Sequence, residues 1–123
     1  DEKQIDEVYK KIKSDKVNIA LIGMPSCGKT TISLALGNEL NKQVVDIDSL
    51  IEEEIKMPIS NFLNKDNENE FRDIETKIIE KISNEKNMII SCGGGIIKRK
   101  ENIDYLKRNS IVIFIRIYKM SII

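Results

Sequence analysis

Val17-Asn18-Ile19-Ala20-Leu21-Ile22-Gly23-Met24-Pro25-Ser26-Cys27-Gly28-Lys29-Thr30 is the stretch on which the fold turns. Its first seven residues form a short, largely apolar run that ends at glycine, the pattern of a strand buried on both faces of a parallel sheet. Its last eight match G-x-x-x-x-G-K-[ST]. Beyond the loop, Ile32, Leu34, Ala35, Leu36 and Leu40 follow without a proline, so a helix is expected from Thr30 to Leu40. Strand, glycine-bounded loop and helix form the context in which this motif binds phosphate. Gly23 and Gly28 supply the backbone freedom that lets N–H groups wrap phosphate oxygens, and the positive end of the helix adds to the attraction. Lys29 carries a point charge to the transferred phosphate, and the Thr30 hydroxyl suits Mg²⁺, a hard cation that prefers oxygen. Alone, the motif indicates a nucleoside triphosphate site and no more.

Further along the chain, VVDID (44–48) is expected to be a second strand, and 49–84 is helical in pieces, interrupted at Met57-Pro58 and at 64–69. Phe71, Ile74, Ile78, Ile79 and Ile82 form one stripe of a longer helix. MIISC (88–92) makes a third strand running into Gly93, Gly94 and Gly95, and a basic helix over about 98–108 leads to IVIFIRI (111–117), a fourth. This alternation predicts an α/β fold with a doubly wound parallel sheet, whose ligands bind at the carboxyl ends of the strands. Before it, Ile5, Val8, Tyr9 and Ile12 stand at helical spacing. That amphipathic helix either packs on the body or is the tail of a preceding domain. The expected organisation is an N-terminal helix or linker over 1–15 and one phosphate-loop domain over 16–123.

Of 123 residues, 20 are Lys or Arg and 20 Asp or Glu, and 41% are hydrophobic, which suits one domain with a core and excludes a disordered tail. Zero net charge argues against nucleic acid or an anionic membrane as a partner. The longest uncharged apolar run, Val17 to Cys27, is too short to span a bilayer, and the opening DEKQIDE is no secretory leader. Cys27 and Cys92, with no His and no CxxC, make neither a disulfide scaffold nor a metal centre, so a reduced, cytoplasmic protein is expected. Cys27, near a helix N-terminus, is expected to be the reactive thiol, and Cys92 a small buried filler. The absence of an initiating Met and the ending at Ile122-Ile123 read as a fragment.

Three further features bear on an acceptor. Asp46 and Asp48 alternate around Ile47 at the end of the second strand, and two carboxylates beside a triphosphate suit one metal and one acceptor hydroxyl. Equally, Asp48 could cap a helix starting at Ser49. Arg72, placed in a turn between helical pieces, has a fork that suits a small carboxylate, though pairing with Glu68 or Glu75 is the more ordinary role. Three glycines after a buried strand are entropically costly and mark a place where backbone must come close to a ligand or another segment.

Together, GMPSCGKTT, DID, NEFRDIE and SCGGG, followed by ENIDYLKRNSIVIFI, resemble shikimate kinase across about residues 17–118. The resemblance implies a P-loop kinase domain over 16–123 and ATP-dependent phosphorylation of the 3-hydroxyl of shikimate, a step toward the aromatic amino acids. It implies that Ser26, Cys27, Gly28, Lys29, Thr30 and Thr31 hold the ATP phosphates and that Thr30 and Asp46 bind Mg²⁺. It further implies that Asp48 takes the shikimate hydroxyl and acts with Lys29 in catalysis, that Arg72 takes the carboxylate, and that Gly93, Gly94 and Gly95 line the shikimate site. If so, ATP should protect Cys27 from alkylation. Ser26 and Asn67 stand where the family often has glycine. The family's lid, with its catalytic Arg, its last strand and a second carboxylate-binding Arg all fall beyond residue 123. Weak or no turnover is therefore expected, and IVIFIRI should be an exposed edge prone to self-association. Other readings are a P-loop kinase for another small acceptor, a nucleotide-binding module without catalysis, or a kinase segment of a longer multifunctional polypeptide.

Overall fold

The computed structural model describes residues 2–23, 28–116 and 119–123, and for residues 116 and 119–121 the backbone alone. Helix α1 (Glu2–Lys13) leads to β1 (Asn18–Gly23), α2 (Lys29–Leu40) and β2 (Gln43–Asp46). Helices α3 (Ile47–Ile55), α4 (Ile59–Phe62) and α5 (Glu68–Ser83) then lead to β3 (Met88–Gly93). A 3₁₀ turn (Gly94–Lys98), α6 (Lys100–Asn109), β4 (Ser110–Arg116) and β5 (Lys119–Ile122) complete the chain. The strands form one sheet in the order β2-β3-β1-β4-β5, with the first four parallel.

Side chains of successive strand residues point to opposite faces, so the continuous apolar strands feed two cores. Ala20, Ile22, Ile90, Cys92 and Val112 join Ile47, Ile51, Phe71, Ile79, Ile96 and Leu106 on the α3, α5 and α6 side. Ile19, Leu21, Ile89 and Ile115 face the other way, against Ile32, Leu36 and Leu40 of α2 and Ile12 of α1. Each fully buried Ile or Leu contributes about 1.5–3 kcal/mol, so the two-sided burial of β1 makes it the keystone of the sheet.

Asn18, the polar residue inside the apolar run, is fully buried. Its side chain donates to the Glu85 carbonyl at 2.8 Å and accepts from the Met88 amide at 2.9 Å, which joins the start of β1 to the start of β3. Lys42 is buried just before β2, and its Nζ donates to the carbonyls of Ser14 (2.7 Å) and Val17 (2.8 Å) and to Asn87 Oδ1 (3.1 Å). Burial holds its pKa below the usual lysine value.

Four expectations need correction. Strand β2 ends at Asp46, and Ile47 and Asp48 lie in the first turn of α3. The reason is local: the Asp46 side chain caps the helix by accepting from the Asp48 amide at 2.9 Å, while Ile47 turns into the core. The cap is thus Asp46 and not Asp48. Arg72 lies inside α5 and not in a turn, because that helix already begins at Glu68. The outer edge of β4 is not exposed. β5 pairs with it antiparallel, Ile113 opposite Ile122 and Ile115 opposite Met120, so most of β4 is covered and β5 is the edge strand on this side of the sheet. Helix α1 packs on the body through Ile12, while Ile5, Val8 and Tyr9 of the same stripe are exposed.

Candidate active site

β1, β2 and β3 deliver their carboxyl ends to one edge of the sheet. Gly23 and Gly93 are register partners, so the loop after β1 and the triple glycine after β3 leave the sheet side by side. Asp46 is the register partner of Ser91, which puts the end of β2 next to the same place. Ser26 and Cys27 lie outside the described residues. The loop's far end is described: Gly28 has φ +79°, a left-handed conformation that favours glycine, and its carbonyl accepts from the Ile32 amide at 3.0 Å as α2 begins.

Lys29 opens α2 and is largely buried, its Nζ donating to the Cys92 carbonyl at 2.8 Å, one residue before Gly93. The phosphate-loop cation therefore reaches the strand that carries the glycines. Thr30 and Thr31 follow on the exposed face of the first turn. Cys92 is buried, and burial drives its thiol far up, so it is inert filler as expected.

Asp48 is half-buried within the field of Asp46, Lys29, Glu52 and Arg72. Burial, followed by the neighbouring Asp46 carboxylate, pushes its pKa above the ordinary carboxylate value, while Lys29 opposes the rise. A Cβ placed on Gly93 would stand 3.8 Å from both Asp48 carboxylate oxygens. Asp48 thus sits over the first glycine and within reach of the Lys29 charge.

On α5, Arg72 is held by its own helix. Nη1 donates to Glu75 Oε1 at 2.9 Å, and the guanidinium carbon lies 5.0 Å from the centre of the Phe71 ring. Glu75 is almost wholly buried, and burial raises its pKa in spite of the Arg72 cation. The pairing weighed as the ordinary role of Arg72 is therefore present, and the fork still reaches the glycine turn, its terminal atoms abutting Gly95. Glu75 was foreseen as a partner for Arg72 but not as a member of the site. Its signal is a carboxylate set within the apolar stripe of α5.

Asn67, where the family often has glycine, precedes α5 with φ −119°, so no left-handed conformation is required there. Its Oδ1 accepts from the Asn64 amide, and Asn67 Nδ2 donates to the Phe62 carbonyl. Among the described residues, no group of three or more His, Cys, Asp or Glu comes together to hold a metal unaided. Thr30 and Asp46 are hard oxygen donors on exposed positions, which fits a divalent cation that takes the rest of its shell from phosphate and water.

Comparison with known proteins agrees with this arrangement. The family model for shikimate kinase matches residues 25–122. Shikimate kinase of Clostridium beijerinckii is 44% identical over 100 residues, covering 81% of this chain and 59% of that protein. That of Clostridium botulinum strain Eklund 17B is also 44% identical, with 81% and 60% covered. Among solved structures, shikimate kinase from Acinetobacter baumannii in complex with shikimate superimposes with a TM-score of 0.75 at 31% identity, covering 81% of this chain and 56% of that one. The enzyme from Aquifex aeolicus gives 0.73 at 28% identity, with 80% and 58% covered. This chain spans about three-fifths of the length of the curated relatives it matches. Across that span, in sequence and in three dimensions alike, the chain belongs to the shikimate kinase family.

Proposed function

We propose that the protein of which these residues form the P-loop kinase part phosphorylates the 3-hydroxyl of shikimate with ATP. The observation that carries this is the convergence of Lys29, Asp48, Arg72 and the glycine turn at one edge of the sheet. Residues 16–123 act as the kinase unit, with 1–15 as an appended helix. The backbone after β1 and the N-terminus of α2 receive the phosphates, and Lys29 neutralises charge on the group in transfer. Thr30 and Asp46 would hold a Mg²⁺ ion, which would supply charge neutralisation at the phosphates. Asp48 accepts the hydroxyl proton, a role that a raised pKa suits, and Arg72 anchors the carboxylate. Catalysis then consists mainly of positioning and charge. The setting is cytoplasmic. Among the described residues no helix is long and apolar enough to cross a membrane.

An acceptor that carries no carboxylate would leave the Arg72 fork with its Glu75 partner alone. The test is ³¹P NMR of the chain mixed with Mg-ATP and shikimate, beside a control without shikimate. A phosphomonoester resonance that requires shikimate is the expected result. Failure of the chain to bind either compound would overturn the proposal, as would a continued lack of any shikimate-dependent resonance once the part of the relatives that this chain does not span is restored.

A further inference from the structure

Helix α1 lies before residue 25, where the match to the family model begins, and carries none of the site's residues. Not one of its residues is buried. A lone helix shorter than about 12–15 residues is marginal in water, and in proteins most of a helix's stability comes from covering an apolar face. Here that face is open. Ile5, Val8 and Tyr9 are 67%, 47% and 49% exposed, and with Gln4 and Ile12 they line a hollow of about 380 Å³. Ile12, at one end of the stripe, packs on the body and leaves the rest uncovered.

The charges around the stripe say what covers it. Residues 2–7 hold Glu2, Asp6 and Glu7 against Lys3 alone, whereas residues 8–13 hold Lys10, Lys11 and Lys13 and no acid. Helical spacing puts Glu2, Asp6 and Lys13 beside Tyr9 on one flank of the stripe, and Gln4, Glu7 and Lys11 on the other. A second α1 laid antiparallel, with Ile5 opposite Ile12 and Val8 opposite Tyr9, faces each flank with the same flank reversed. Lys13 then lies level between Glu2 and Asp6 of the other copy, and Lys11 comes beside its Glu7. A parallel pair would instead set Asp6 against Glu7 and Lys13 against Lys11, like charges in both places. We propose that α1 is a docking helix through which two copies of this chain associate, antiparallel and two-fold symmetric, along the stripe of Ile5, Val8, Tyr9 and Ile12. One 12-residue helix from each copy makes an interface of the small, transient class, below about 1,200 Å², so the dimer forms with rising concentration.

Sedimentation equilibrium of the 123-residue chain between about 10 µM and about 1 mM tests this. The expected result is a monomer–dimer equilibrium. Val8→Asp, at an exposed position, should be monomeric throughout and keep the parent's melting temperature. Glu7→Lys and Lys11→Glu, each alone, should weaken the dimer about three- to tenfold, because two surface pairs turn from attraction to repulsion. Mixing these two variants restores both pairs and should return the parent's affinity in a mixed dimer. A parent that stays monomeric at about 1 mM would overturn the proposal. So would a dimer that survives Val8→Asp, which would place the contact elsewhere, at the edge strand β5 for example. Tighter association of Glu7→Lys alone, as a parallel pair with its Asp6 would give, or a mixture no tighter than its components, would overturn it too.

Discussion

Arg72 and Glu75 show how much of a site one helical turn can assemble. The three-residue spacing was visible in the sequence, and so was the chemistry of each side chain. Not visible was that this turn would be buried, because burial depends on where the 3₁₀ turn after β3 comes to rest. Burial raises the Glu75 pKa above the ordinary 4.5. Between the two values the folded chain holds a proton that the unfolded chain has lost, so this residue's contribution is fully present below 4.5 and is lost as pH rises through the folded value. Glu75→Gln carries no such ionisation and keeps an acceptor for Nη1. The variant's melting temperature, relative to the parent's, should therefore rise as pH climbs from 4 toward 7. A constant difference across that range in thermal melts would contradict the assignment.

At the scale of elements, strand and helix identities were largely readable because parallel strands announce themselves as continuous apolar runs. The boundaries were not, since capping decides them. VVDID looks like five residues of strand, yet one hydrogen bond from the Asp48 amide to Asp46 turns the last two into helix. β5 escaped notice for a different reason: pairing between strands is a tertiary event that local pattern does not encode. Gly37 gives a prediction at this scale. It lies buried in the last turn of α2, where alanine would ordinarily stabilise a helix by up to about 1 kcal/mol. A Cβ there would come 2.9 Å from the Lys42 carbonyl and 2.5 Å from Val44 Cγ2. Backbone cannot yield as a side chain can, and overpacking costs about 1–3 kcal/mol, so the clash wins. Gly37→Ala should lower stability by about 1–2 kcal/mol in urea unfolding. A stabilised variant would show that α2 and β2 are not pressed together here.

For the whole molecule, the kinase framework is carried by four parallel strands, and the chemistry gathers where three of them end. The motifs that made the family recognisable are those that bring backbone to this edge, which is why site and fold were legible together. Taken alone, these 123 residues are expected to turn over well below the ordinary enzyme range of about 1–10³ s⁻¹. The resemblance assigns the lid and a second carboxylate-binding Arg to the part of the relatives that this chain does not span. A coupled assay giving a shikimate-dependent rate inside that range would refute this. The bond from Lys29 Nζ to the Cys92 carbonyl bears on any affinity measured for nucleotide. The Lys29 ammonium has three donors and gives one to this carbonyl, so a phosphate can take another while the first bond stays in place. The cation is thereby held in place before any nucleotide arrives, and a Lys29→Met titration would report the loss of a charge already oriented, with little of the cost of ordering a free lysine.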